Sequence, residues 1–235
     1  MILSPEAFQK LQQVSTASLT TQLLKRGFRN TFIAGLTPLR PDLRMVGYAF
    51  TLRYIPARED FDMGVDYDNS RNVQRLAVEA IEAGQVLVID ARSDTRAASF
   101  GHIIATRIQQ RGAAGFVTDG GLRDTPAFKS LDLPTYIRAP HATTSSSIHH
   151  PVDMNLPIGC GGVAVIPGDV VAGDAEGVVI IPAQVAEAVA HDTFEQDLLE
   201  TFLQQKVANG ASIRGVYPPN EATRAEYEIW RKKQS

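Results

Sequence analysis

The chain has one cysteine, Cys160, so no internal disulfide can form and the fold must rest on packing. It also lacks a basic surplus: 23 Lys and Arg stand against 26 Asp and Glu, giving a formal charge of -3. Proteins that track nucleic-acid phosphates carry such a surplus or a basic face, so neither DNA nor RNA is the expected ligand. No run approaches 18 apolar residues, and Glu6 and Lys10 interrupt the stretch where a secretory leader needs an apolar core. No membrane partner is expected, and the chain reads as a soluble cytoplasmic protein. Several catalytic and nucleotide signatures are missing too. There is no GxGxxG after a first strand, no phosphate-loop GxxxxGK, no GxSxG elbow and no HExxH, and GCGG at 159–162 has no helix after it. Lysine is absent between residues 26 and 128, which disfavours Schiff-base chemistry on a central lysine.

What is present is an alternation of element signals along 235 residues, 44% of them hydrophobic, enough for one packed core. Ser4-Pro5 starts a helix carrying Phe8 and Leu11. A second helix begins at Ser15 or Thr16, turns Leu19 and Leu23 inward and stops at Arg26-Gly27. Val46, Tyr48, Phe50, Leu52 and Tyr54 alternate with smaller or polar residues, the period of a strand. After an acidic loop, Asn69 or Ser70 is the expected cap of a helix bearing Val73, Leu76, Ala77 and Ile81. QVLVID ending at Asp90, a helix from Gly101 to Gln110 and AAGFVTD ending at Asp119 form a β-α-β succession. That order implies parallel pairing and a ligand site beyond the carboxyl ends of the strands. PTYI is a further strand, and the β-branched, glycine-rich stretch to Pro182 gives short strands joined by tight turns, hence a curled sheet or partial barrel. A long helix over 183–208 and a last helix capped by Asn220, with Tyr227 and Trp230, complete the α/β pattern. No composition shift divides the chain. One domain over 1–235 is expected, with an N-terminal helical arm at 1–27 and a C-terminal helical extension at 215–235.

The chemistry concentrates in VTDGGLRDTPAF, residues 117–128. Two glycines after a buried strand predict a sharp backbone path that turns Arg123 and Asp124 into a cleft. The guanidinium fork suits a carboxylate, and the aspartate suits a hard divalent cation. The plain structural alternative is a salt-bridged loop in which Arg123 pairs with Asp119 or Asp124. Just before it, Gly101 opens a helix whose first N–H groups, at His102, Ile103 and Ile104, have no helical acceptor and suit a carboxylate or an enolate oxygen. The five histidines lack zinc-site spacing, and Cys160 reads as a small buried side chain.

FGHIIATRIQQRGAAGFVTDGGLRD at 100–124 and GVAVIPGDVVAGDAEGVVIIP at 162–182 resemble the RraA-like family, which includes the class II 4-hydroxy-4-methyl-2-oxoglutarate aldolases and the regulator of ribonuclease activity A. The resemblance covers most of residues 15–213. It implies a layered α/β/α sandwich with a small central β-barrel, flanked by N- and C-terminal helices and assembled as a trimer or hexamer with sites between subunits. It further implies that Arg123 binds the substrate carboxylate, that Asp124 holds Mg²⁺ or Mn²⁺, and that the segment Gly101, His102, Ile103 and Ile104 receives the pyruvyl end. A glutamate of the long helix in a neighbouring subunit, Glu200 with Glu195 in reserve, completes the set. Many aldolase members carry an acidic residue after the helix-start glycine, where this chain has His102. The implied activity is metal-dependent cleavage of a 4-hydroxy-2-oxo acid to pyruvate, with oxaloacetate decarboxylation at the same site. Sugar-acid dehydration and protein-binding regulation of a ribonuclease are the alternatives. Arg53 and Arg58 are candidates for a second carboxylate or a hydroxyl, against the plainer reading of a solvated face.

Overall fold

The computed structural model describes residues 2–62 and 70–233. In chain order the elements are α1 (Pro5–Leu11), α2 (Thr16–Lys25), β1 (Thr37–Pro38), β2 (Met45–Pro56), α3 (Glu59–Asp62), α4 (Val73–Ala80), β3 (Gln85–Asp90), β4 (Ala98–Phe100), α5 (His102–Gln110) and β5 (Gly115–Leu122). They continue with α6 (Thr125–Phe128), β6 (Thr135–Pro140), β7 (His149–Met154), β8 (Ile158–Cys160), β9 (Val163–Val165), β10 (Val170–Gly173), β11 (Val178–Ile181), α7 (Ala186–Ala208) and α8 (Glu221–Arg231). Among the described residues no helix is long and apolar enough to cross a membrane.

The main sheet runs in the order β1-β6-β5-β3-β2-β10-β11, with β4 added to β5 and β7 to β2. Its centre is parallel, β2 with β3, β3 with β5 and β5 with β6, while β10, β11 and β7 join antiparallel. The long β2 pairs with β10 near its start and with β7 near its end, which curls the sheet into a half-barrel. The result is an α/β sandwich around that partly closed sheet, with helices from both ends of the chain on its flanks.

The strand periodicity explains the layering. In β3, Leu87 and Ile89 enter one buried cluster with Ala77 and Ile81 at α4 and Ala105 and Ile108 of α5. Val86 and Val88 point the other way, into a cluster closed by Val163 and Val165 of the β8-β9 hairpin. Leu11, Leu19 and Leu23 of the N-terminal helices pack on β10, β11 and the first half of α7. Tyr227 and Trp230 of α8 dock on Phe202 of α7, with ring centroids 5.7 Å away in each case.

Local capping follows the sequence with one change. Ser4 and Ser15 cap α1 and α2 as expected. Asn69 lies outside the described residues, and the cap of α4 is Asn72, whose side chain accepts the Arg75 N–H at 3.2 Å. That shift brings Gln74 into the first turn of α4.

The end of β5 also differs from expectation. The strand does not stop at Asp119 but runs on through both glycines to Leu122, pairing with β4 and β6. Neither glycine is needed for a left-handed turn. Each is needed for contact: a Cβ at Gly120 would lie 2.5 Å from Ala91 Cβ, and one at Gly121 would lie 2.6 Å from the Ala97 carbonyl oxygen.

Asp119 is 1% exposed and ties two other chain segments to β5. Its carboxylate accepts the N–H groups of Ala91 at 2.7 Å, Ser93 at 2.9 Å and Gly161 at 2.9 Å, and the Ser93 hydroxyl at 3.1 Å. Arg123 is not among its partners. Asp119→Asn replaces one acceptor oxygen with a donor facing a buried N–H, and it should lower unfolding stability by about 1–3 kcal/mol in urea titrations. An unchanged urea midpoint would show that these amides find other acceptors.

Candidate functional site

Beyond Leu122 the chain breaks from the sheet. The Arg123 N–H donates to the Phe100 carbonyl at 3.2 Å, and Asp124 adopts the left-handed conformation, φ 60° and ψ 29°, which aspartate tolerates better than most residues. Thr125-Pro126 then starts α6. This turn lays both candidate side chains over the start of α5. A Cβ at position 101 would stand 3.2 Å from Arg123 Cγ and 3.3 Å from Asp124 Oδ2, so Gly101 leaves room for them.

Asp124 Oδ2 accepts from the His102 N–H at 3.4 Å and contacts His102 Nδ1 at 3.2 Å, while Arg123 Nε lies 3.4 Å away. An ionised carboxylate only accepts, so His102 Nδ1 carries a hydrogen towards it, and the neutral form of the ring would hold its lone pair on Nε2. The hydrogen bond from His102, reinforced by Arg123, lowers the Asp124 pKa below the ordinary carboxylate value. The N–H groups of Ile103 and Ile104 have no acceptor among the described residues. Ile103 stands 76% exposed at the lip.

These groups line one cleft of about 220 Å³, together with Gln74, Arg75, Thr144 and Ser145. The structure therefore brings Gly101, His102, Ile103, Ile104, Arg123 and Asp124 together. It also confirms the salt-bridged geometry of Arg123 with Asp124, which leaves both side chains exposed to the cleft at 43% and 34%.

Glu200 and Glu195 are not part of this cleft in a single chain. Glu200 accepts from Gln196 at 2.8 Å and borders a separate groove with Asp197, and Glu195 pairs with Arg231. Arg53 pairs with Asp153 on β7, and Arg58 with Asp60, so neither lines the cleft. Cys160 is buried, and burial pushes its thiol pKa well up. Gln74 was not legible as a site residue. It is buried and donates to the Tyr54 hydroxyl at 2.6 Å and the Ser99 carbonyl at 2.9 Å, and the signal that locates it is the Asn72 cap two residues earlier.

Among the described residues no three His, Cys, Asp or Glu side chains converge, so the donor set does not fit an all-protein metal cage. One ionised carboxylate at an open cleft does fit Mg²⁺ or Mn²⁺ that keeps several waters and takes substrate oxygens.

Because the folded-state pKa of Asp124 is the lower one, its pairing stabilises the fold above the ordinary value of about 3.9 and is lost as pH falls through the depressed value. Carboxyl ¹³C NMR without divalent cation should find Asp124 titrating below the other exposed aspartates, and His102→Ala should move it upward. An unmoved titration in that variant would remove His102 as the cause.

Residues 16–180 match the RraA-like family profile, described as Aldolase/RraA. A 4-hydroxy-4-methyl-2-oxoglutarate aldolase of Thermus thermophilus is 30% identical over 155 residues, 66% of this chain and 92% of that protein. A Halalkalibacterium halodurans protein that carries the same name provisionally is 42% identical over 100 residues, 42% of this chain and 47% of its own, so the match spans about half of that relative's length. Among solved structures, Streptomyces coelicolor RraAS2, described as an unusual member of the RNase ES inhibitor RraA family, superposes with a TM-score of 0.77 at 27% identity, covering 87% of this chain and 98% of that one.

Proposed function

The chain belongs to the RraA-like family, and from that premise we propose that it is a divalent-metal-assisted lyase releasing pyruvate from a 4-hydroxy-2-oxo acid. The observation that carries the reading is convergence. A guanidinium, an ionised carboxylate, an imidazole and two unpaired helix-start N–H groups share one small cleft beyond the carboxyl end of β5.

In aldol cleavage the C4 hydroxyl gives up its proton and the C3–C4 bond breaks as C4 becomes a carbonyl. The electron pair stays with the pyruvyl fragment as its enolate, which is protonated at C3. Oxaloacetate reaches the same enolate by losing carbon dioxide. Arg123 takes the pyruvyl carboxylate in a two-pronged contact that a lysine cannot reproduce. The N–H groups of Ile103 and Ile104 stabilise charge that develops on the keto oxygen. His102 Nε2 accepts the C4 proton, directly or through a water, with its ring held by Asp124. Mg²⁺ or Mn²⁺ held by Asp124 would supply Lewis-acid stabilisation of that same charge. A neighbouring subunit of a trimer or hexamer would bring Glu200 to the cleft rim, where Ile103 stands exposed.

Arg123→Lys should weaken pyruvate binding while leaving Mn²⁺ affinity nearly intact. Asp124→Asn should weaken Mn²⁺ and lower kcat by about 10²–10³, the scale of losing one group that stabilises transition-state charge. Metal calorimetry and steady-state pyruvate release report the two effects separately, and normal Mn²⁺ binding with near-wild-type kcat in Asp124→Asn would return this loop to a structural role. Light scattering should give a mass of three or six chains of 25.6 kDa. A stable monomer would remove Glu200 from the site.

A further inference from the structure

Next to the cleft lies a second cavity of about 330 Å³, between the start of α4 and the segment that leads into β7. The two adjoin: Gln74 and Ser145 line both. Its other polar lining includes Asn72, Ser146, Asp62 and Arg71.

Two features of that wall speak to its occupant. The first is charge. Among the described lining residues the formal charges of one carboxylate, Asp62, and one guanidinium, Arg71, cancel, and Asp62 also meets His150 Nδ1 at 2.9 Å. The second is unspent hydrogen bonding. Ser145 and Ser146 are half-buried, and among the described residues their hydroxyls make no hydrogen bond, although the neighbouring Ser147 hydroxyl is tied to the Thr144 carbonyl at 2.8 Å. The Asn72 carbonyl is spent on its cap, which leaves its amide hydrogens to give. Hydroxyls that both donate and accept match such a mixed lining, whereas a carboxylate only accepts.

We propose that this cavity is a tail subsite, and that the protein prefers 2-oxo acids with a hydroxylated tail over dicarboxylic ones. The proposal rests on the reading of Arg123 and Asp124 as the pyruvyl site, because the tail must continue from a head held there. The carbon chain then runs from Arg123 past Gln74 and Ser145, with its distal hydroxyls between Asn72 and Ser146. Gln74 is a positioning residue in this arrangement: its amide is fixed on Tyr54 and Ser99, which makes it a rigid sill between the two cavities.

Calorimetry on the full chain, without divalent cation so that no turnover intervenes, tests this with three probes. Pyruvate reports the head alone. 2-Oxo-3-deoxygluconate and 4-hydroxy-2-oxoglutarate share that head and differ in the tail, hydroxyls in one and a carboxylate in the other. The wild type should bind the hydroxylated acid about tenfold more tightly than the dicarboxylate, since a site built for hydroxyls discriminates against ligands that leave its polar groups unpaired. Ser146→Ala should remove most of that preference, and Ser146→Leu, which fills the cavity, should abolish it. Both lie on a surface segment and should leave pyruvate affinity unchanged. Equal binding of the two acids, a preference for the dicarboxylate, or a preference that survives Ser146→Leu would overturn the proposal. Failure of pyruvate itself to bind would overturn the pyruvyl-site reading, and the tail subsite with it. Normal pyruvate binding without tail preference would overturn the subsite alone.

Discussion

The arrangement depends on one buried carboxylate at the end of the central strand. Asp119 ties the loop after β3 and the turn after β8 to β5 through backbone N–H groups, so three segments from distant parts of the chain meet at one point. A buried acceptor of this kind is costly to lose, because each amide it satisfies would be left in a site closed to water. The two glycines that follow let β5 run close beneath Ala91 and Ala97 instead of bending away. Only after that constrained passage does the chain turn, and it turns at Asp124.

The left-handed turn at Asp124 carries the chain from that structural anchor to the proposed site. Two acidic residues five positions apart thus do different work. Asp119 is enclosed and spends its oxygens on backbone amides, whereas Asp124 is a third exposed and spends one oxygen on His102 and Arg123. Its contacts with the first residue of α5 keep the carboxylate against the helix start, so the groups suited to an anion and the group suited to a cation stand side by side. The salt-bridged loop and the proposed binding site are therefore not competing descriptions. The ion pair pre-orients side chains that remain open to solvent, which reduces the ordering cost when a ligand arrives.

Much of this was legible in the sequence because it is written in local chemistry. Ser4-Pro5 and Ser15 announce helix starts, the apolar run in QVLVID gives a buried strand, and the sequence from Gln85 to Asp119 carries the β-α-β order. What escaped was set by contacts between distant segments. The glycines at 120 and 121 read as turn residues, and only the neighbours Ala91 and Ala97 show that they serve close packing. Gln74 carries no local mark of a cleft residue, since its role comes from Tyr54 and Ser99. Ser145 and Ser146 come to their cavity only because the segment leading into β7 lies beside α4. Glu200 lies on another groove of the single chain, and no property of one chain's sequence can bring it to Arg123.

The central claim is that Arg123 and Asp124 form a combined carboxylate and cation site. Crystals grown with Mn²⁺ and oxalate, a planar mimic of the pyruvate enolate, test it most directly through the anomalous signal of the metal. The account predicts Mn²⁺ bound to the Asp124 carboxylate, and oxalate spanning the metal and Arg123 with its far end toward the N–H groups of Ile103 and Ile104. Mn²⁺ and oxalate bound together at any other position, with Asp124 still occupied only by His102 and Arg123, would contradict it.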